Sequence, residues 1–234
     1  MKEAAIHILY EDADVVVCEK PFGVPSQSDK SLDYDMVNRL KNYLFLKQET
    51  KGEPYVGLIH RLDRPVGGIM VFAKNKESAK KLSESIRSKE ISKKYLAIVT
   101  CDPKAPMPVG KHTLTDYIAK EAKTNTAYLA KASDKQAKKA ELIYQVIDKK
   151  EDCLLVEVEL LTGRHHQIRL QLASHLGGIW GDTKYNPLFR EKKGAFQIGL
   201  YAYQLSFLHP RNKKVLTFSC KPKGIPFDFF SLTE

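Results

Sequence analysis

Residues 140–163 read AELIYQVIDKKEDCLLVEVELLTG, and apolar and polar side chains alternate through both halves. A period of two puts one apolar face on a strand. Two such arms joined by the polar KKED therefore predict an antiparallel hairpin. This segment excludes an all-helical chain. The N-terminal IHILYEDADVVVCEKP repeats the device: Ile6, Ile8 and Tyr10 alternate, EDAD supplies a turn, and VVV restarts the apolar run up to Pro21. GLIH, GIMVFAK, KKYLAIVT, AFQIGLYAYQLSFLHP and KVLTFSCKP read as further strands. Helical spacing occurs in three places only. Met36/Val37, Leu40 and Leu44 share one face, and Ala79, Leu82 and Ile86 another. Ile168, Leu172 and Leu176 make the third, in a helix expected to start at Arg164 and to end at Gly177. The expected class is α+β, with a largely antiparallel mixed sheet flanked by helices and loops.

With 234 residues the chain has length for one large domain or two small ones. The expected organisation is a single catalytic domain over 1–234. Residues 102–140 are rich in Pro and Lys and weakly apolar, so they read as a basic insertion of mobile hairpin or long loops without a core of its own. Lysine and arginine total 38 against 28 acidic residues, a net charge of +10. That excess favours a polyanionic partner, nucleic acid first and an anionic membrane surface second. No apolar run approaches the roughly 18 residues that span a membrane. The N-terminus carries acids early and lacks the apolar core of a secretory signal. Cys18, Cys101, Cys153 and Cys220 lie far apart in sequence, which excludes a zinc ribbon and a CxxC redox pair. Reduced thiols in a cytoplasmic protein are the simple expectation.

Three ionisable groups, His60, Arg61 and Asp63, stand between two apolar segments in LIHRLDRPVGGIMVFAKN. A short connection between strands is a common seat for catalytic groups. Asp63 is flanked by Arg61 and Arg64, and nearby cations favour its carboxylate form. A carboxylate there can act as nucleophile at a sugar C1′ or as general base, or it can simply cap a turn. In LLTGRHHQIRL, Arg164, His165 and His166 add positive character to an expected helix N-terminus, which already attracts anions. Arg169 falls beside the apolar face of that helix and so calls for an acidic partner. Adjacent histidines point to different helix faces and no acidic cluster sits beside them, so no metal is expected. They leave open a phosphodiesterase using His165 and His166 as acid and base. Tyr95, behind two lysines in SKKYLAIV, can stack on a base and serve in proton transfer, or lie in the core.

Together these segments resemble one family, the RluA-type pseudouridine synthases. HRLDRPVGGIMVFAK is similar to its HRLD signature, KKYLAIV to its tyrosine motif, and TGRHHQIRLQLASHLGGIWGDTKYN to its TGRxHQIR helix with the GD-x-x-Y segment that follows. LYAYQLSFLHPRNKKVLTF resembles the terminal motif ending in HP, and ILYEDADVVVCEKPFGV the opening hairpin and KP-x-G turn. The resemblance covers nearly the whole chain in the family's order. It departs where Val66-Gly67-Gly68 replaces the common Thr-Ser-Gly, removing two hydroxyls from the aspartate loop. The separate RNA-binding domain that many relatives carry ahead of the catalytic one is not expected, because the catalytic pattern begins by Ile6.

The resemblance implies isomerisation of a uridine in rRNA or tRNA, by flipping the base out and cleaving its glycosidic bond. No cofactor or metal is implied, and no membrane; the expected state is a monomer. Asp63 would be the catalytic aspartate, by attack on C1′ or by deprotonation of C2′. Arg169 would pair with it, and Tyr95 would stack on the uracil. Arg61 would fill the gap left in the RNA stack, His60 would support the loop or the flipped strand, and Arg164 and His166 would contact RNA. Lys120, Lys123 and Lys131, in the lysine-rich stretch from Lys104 to Lys139, are candidates for phosphate contacts. An RNA-binding protein without catalysis is the alternative.

Overall fold

The computed structural model describes residues 6–28, 34–47, 52–192 and 197–232. In chain order its elements are β1 (His7–Glu11), β2 (Val15–Lys20), α1 (Met36–Lys47), β3 (Gly57–Leu58), β4 (Gly67–Ala73), α2 (Lys76–Arg87), β5 (Ser92–Thr100), β6 (Lys111–Glu121), β7 (Thr126–Leu129), β8 (Lys138–Lys150) and β9 (Cys153–Leu160), then α3 (Gln167–His175), α4 (Pro187–Arg190), β10 (Leu200–Leu208) and β11 (Val215–Ser219). The class is α+β. The strand pairs with a defined register are antiparallel. The chain forms two compact units, Met1–Ser92 with Ala202–Cys220, and Lys93–Tyr201 with Lys221–Glu234.

In the first unit the strands run β1–β2–β4–β10, with β3 beside β4 and β11 beside β10. All seven residues of β4 are buried, as their unbroken apolar run requires. The core gathers Val15, Val17, Ile69, Val71, Leu205 and Phe207 around Leu82 of α2, with Ala79 and Ile86 packed at its margin. Helix α2 starts where the Asn75 side chain accepts the Ser78 N–H, a regular N-cap. Helix α1 buries Met36, Leu40 and Leu44, the face that the spacing predicts. Gly68 has φ +127, and a Cβ on it would lie 2.4 Å from the Ala202 carbonyl oxygen. Only glycine brings β4 this close to β10.

In the second unit the order is β5–β9–β8–β6–β7. Strands β8 and β9 are the hairpin of residues 140–163, turning at Glu151 with φ 51. The alternation slips once, at a bulge between Val146 and Asp148, which leaves Ile147 exposed. Residues 102–140 hold more regular structure than their composition suggests. Strand β6 has 11 residues, pairs with β8 from Lys111↔Gln145 to Ile118↔Lys138, and turns back into β7. Its apolar contribution is small but sufficient, because Ile118, Ala127 and Ala140 share a cluster with Leu170 of α3. Helix α3 begins at Gln167, three residues later than the sequence pattern suggests. His166 stands before it with φ 52 and ψ 25, a left-handed conformation that a helix cannot continue through. At the other end Leu176 is the C-cap and Gly177 follows it, where the pattern places the end of the helix.

Candidate active site

Asp63 lies on the connection between β3 and β4, and its carbonyl accepts the Val66 N–H in a tight turn. Three groups of the 20–26 segment hold this turn. The Ser26 hydroxyl donates to the Leu62 carbonyl at 2.8 Å and accepts the Leu62 N–H at 3.1 Å. The Gly23 N–H donates to the Arg64 carbonyl at 3.0 Å, and Arg64 Nε returns a bond to the Gly23 carbonyl at 3.1 Å. Lys20 Nζ donates to the carbonyls of Pro21, Val24 and Arg64, at 3.1, 2.6 and 3.1 Å. The turn therefore has backbone and side-chain support where the family's Thr-Ser pair is replaced. Val66 itself is buried in the core.

Lys20 is fully buried. Burial pushes its ammonium down to about 7, with the Asp63 carboxylate acting against this and Arg64 adding to it. When protonated, Lys20 adds positive potential at Asp63, and its ammonium makes three hydrogen bonds around the turn. The sequence reading treats KPFGV only as a turn, so Lys20 and Ser26 are missed. A lysine closing a strand whose first four residues are apolar was the available signal.

His60 Nε2 accepts the Val71 N–H at 3.2 Å, which fixes the residue against β4 and suits a supporting role. Arg61 and Arg64 are exposed, while Asp63 is half-buried. Tyr95, on β5 opposite Val158, retains 5% exposure.

In the second unit, Arg169 is 4% exposed and forms a two-pronged ion pair with the fully buried Asp182, Nε to Oδ2 at 2.8 Å and NH2 to Oδ1 at 2.7 Å. This is an acidic partner of the kind the helix spacing demands. The Asp182 carboxylate also accepts the N–H groups of Lys184 and Tyr185, so one residue orders the GDTKY turn and the arginine together. The Arg169 guanidinium sits over the Tyr185 ring, 5.3 Å from its centroid. The Tyr185 hydroxyl is 2.8 Å from His166 Nδ1 and accepts the Ala127 N–H at 2.6 Å. His166 is thus buried and hydrogen-bonded, held to β7 through Tyr185. His165 stacks on it with centroids 3.8 Å apart. Arg164 Nε donates to the Lys139 carbonyl at 2.8 Å, and its N–H to Gln167 Oε1 at 3.0 Å. Lys120 at the end of β6, Lys123 in the β6–β7 turn and Lys131 just after β7 are all exposed. Asp182 and Tyr185 are missed as site residues by the sequence reading, although the demand for an acid near Arg169 pointed to one.

Residues 14–174 match the family model described as RNA pseudouridylate synthase, and the chain belongs to that family. It is 29% identical over 217 residues to the ribosomal large subunit pseudouridine synthase C of Haemophilus influenzae, covering 91% of this chain and 64% of that protein. It is 30% identical over 235 residues to the tRNA pseudouridine synthase C of Haemophilus ducreyi, covering 92% and 90%. Among solved structures, human RNA pseudouridylate synthase domain containing 4 superposes with a TM-score of 0.73 at 26% identity, over 92% of this chain and 88% of that one. The chain spans just under two thirds of the ribosomal relatives it matches. Among the described residues no helix is long and apolar enough to cross a membrane.

Proposed function

We propose that this chain is an RNA pseudouridine synthase that converts a uridine of ribosomal or transfer RNA to pseudouridine. The observation that carries the reading is Asp63 on its braced β3–β4 turn, inside the segment that matches the family. Asp63 cleaves the N-glycosidic bond, by attack on C1′ or by removal of a C2′ proton. The freed uracil turns and its C5 bonds to C1′, breaking the Asp63–C1′ bond on the first route or with return of the C2′ proton on the second; the C5 proton then leaves and N1 takes up a proton. Tyr95 stacks on the uracil and can mediate that last transfer. Arg169 serves the same chemistry as a positioning cation, as the resemblance implies. Arg61, exposed on the turn, fills the stack after the uridine flips out, an extrusion that costs a few kcal/mol. His60 acts through the turn that it supports. Arg164, His166, Lys120, Lys123 and Lys131 serve RNA binding. The working unit in this reading is a cytoplasmic monomer whose catalytic domain contributes its own basic surface to RNA capture.

The test is the Asp63→Asn variant assayed on RNA from cells lacking the protein, with pseudouridine mapped chemically. Loss of a principal catalytic group lowers turnover by roughly 10⁴-fold or more. RNA affinity and thermal midpoint stay near wild type. Normal pseudouridine formation by the folded variant would remove Asp63 from the chemistry. An RNA-binding protein without catalysis would mark no uridine with either form.

A further inference from the structure

The first unit is closed by a line of contacts between its N-terminal hairpin and the β10–β11 hairpin. Arg211 pairs with Asp14, His209 Nε2 lies 2.7 Å from Asp12 Oδ2, and the Tyr10 and Phe218 rings meet with centroids 5.6 Å apart. The next position along this seam holds three donor groups. His7 on β1 stands directly across from Glu19 on β2, and Cys220 follows β11. His7 Nδ1 is 2.9 Å from Glu19 Oε2, Cys220 Sγ is 3.5 Å from the same oxygen, and one donor atom from each of the three lies within 4.8 Å of the others.

We propose that His7, Glu19 and Cys220 form a binding site for a divalent cation of the Zn²⁺ class, with solvent as the fourth ligand. The donor set of imidazole, carboxylate and thiolate suits a borderline-soft ion. The dimensions suit it too. Bond lengths of about 2.3 Å to sulfur and about 2.0–2.2 Å to nitrogen and oxygen give a tetrahedron with O···S edges of roughly 3.5–3.7 Å and N···O edges of roughly 3.3–3.5 Å. The Cys220–Glu19 separation already equals such an edge, and the His7–Glu19 pair needs to open by a few tenths of an ångström. The backbone fixes the spacing: His7 and Glu19 are register partners in a strand pair, and the Cys220 N–H donates to the Tyr203 carbonyl at 2.9 Å. His7 is exposed, which gives an ion access. On binding, the thiol and any imidazolium release their protons to solvent and no redox change occurs. The bound ion would extend the seam, tying β1 and β2 to the end of β11.

The test uses the full tag-free chain, reduced and freed of metal, titrated with Co²⁺ and then competed with Zn²⁺. The expected result is one thiolate-to-cobalt charge-transfer band of unit stoichiometry that Zn²⁺ abolishes and that Cys220→Ser lacks. His7→Ala and Glu19→Gln should weaken Zn²⁺ by more than the roughly 10–100-fold that loss of an outer-shell partner costs. In the wild-type chain Zn²⁺ should also protect Cys220 from alkylation, mapped by mass spectrometry, a readout that needs no variant. Absence of the band, its survival in Cys220→Ser, or alkylation of Cys220 unaffected by Zn²⁺ would overturn the proposal. Pseudouridine formation enters none of these readouts, so the site and the proposed activity stand or fall separately.

Discussion

Arg169 and Asp182 show how one buried pair can serve both order and chemistry. Both groups are out of water, and the pairing is two-pronged. Removing one partner leaves the other charge buried, so Asp182→Ala should cost roughly 3–5 kcal/mol of stability, measured by urea unfolding. The variant should lose activity with it, because the same carboxylate orders the turn through Lys184 and Tyr185. Lys20 gives a pH-dependent counterpart. Its folded pKa of about 7 lies below the ordinary value of 10.5, so between those limits the unfolded chain holds more protons than the folded one. Stability from this group is complete above about 10.5 and is lost as pH falls toward about 7. The stability difference between wild type and Lys20→Met should therefore move in favour of wild type as pH rises through that window. Parallel urea titrations at the two ends measure it, and a difference that stays constant would show that Lys20 does not change its proton affinity on folding.

At the scale of elements, the β6–β7 hairpin depends on a small cluster. Ile118 packs with Ala127 and Ala140 against Leu170. Ile118→Ala should cost roughly 2–4 kcal/mol. Amide exchange should quicken first in β6 and β7, the elements with the least apolar cover. Equal protection there and in β8 would show that the ladder alone holds the hairpin. This is also where legibility in the sequence ended. The β8–β9 hairpin, β1–β2, and the buried faces of α1 and α2 were readable because each carries its own apolar period. Strand β6 does not, since its partner β8 and two alanines supply most of what it needs, and polar and charged residues dominate its composition. The early end assigned to α3 failed for a backbone reason, the left-handed His166, which residue type alone does not announce. The Asp63 turn was legible from its clustered charges. Its bracing by Lys20 and Ser26 was not, because those contacts join residues about 40 apart in sequence.

For the whole molecule the governing quantity is the net charge of +10, which favours a polyanionic partner. Lys120, Lys123 and Lys131 are exposed, and among the described residues none of them forms an ion pair. The turn beside Lys120 and Lys123 is fixed rather than merely solvated. Lys184 Nζ donates to the Asn125 carbonyl at 2.7 Å, and Tyr185 receives the Ala127 N–H. Ammonium groups on a fixed turn keep their spacing, and an RNA backbone that meets them releases counterions on contact. Each phosphate contact contributes roughly 0.7–0.9 to the slope of log affinity against log salt, so neutralising all three lysines to glutamine should lower that slope by roughly 2–3. The Michaelis constant for RNA should rise. The rate at saturating RNA should hold, because none of the three touches the aspartate turn or the Arg169–Asp182 pair. Equilibrium binding from low to moderate salt separates this from a solvating role, in which the triple variant would keep the wild-type slope and the RNA path would lie on another basic surface.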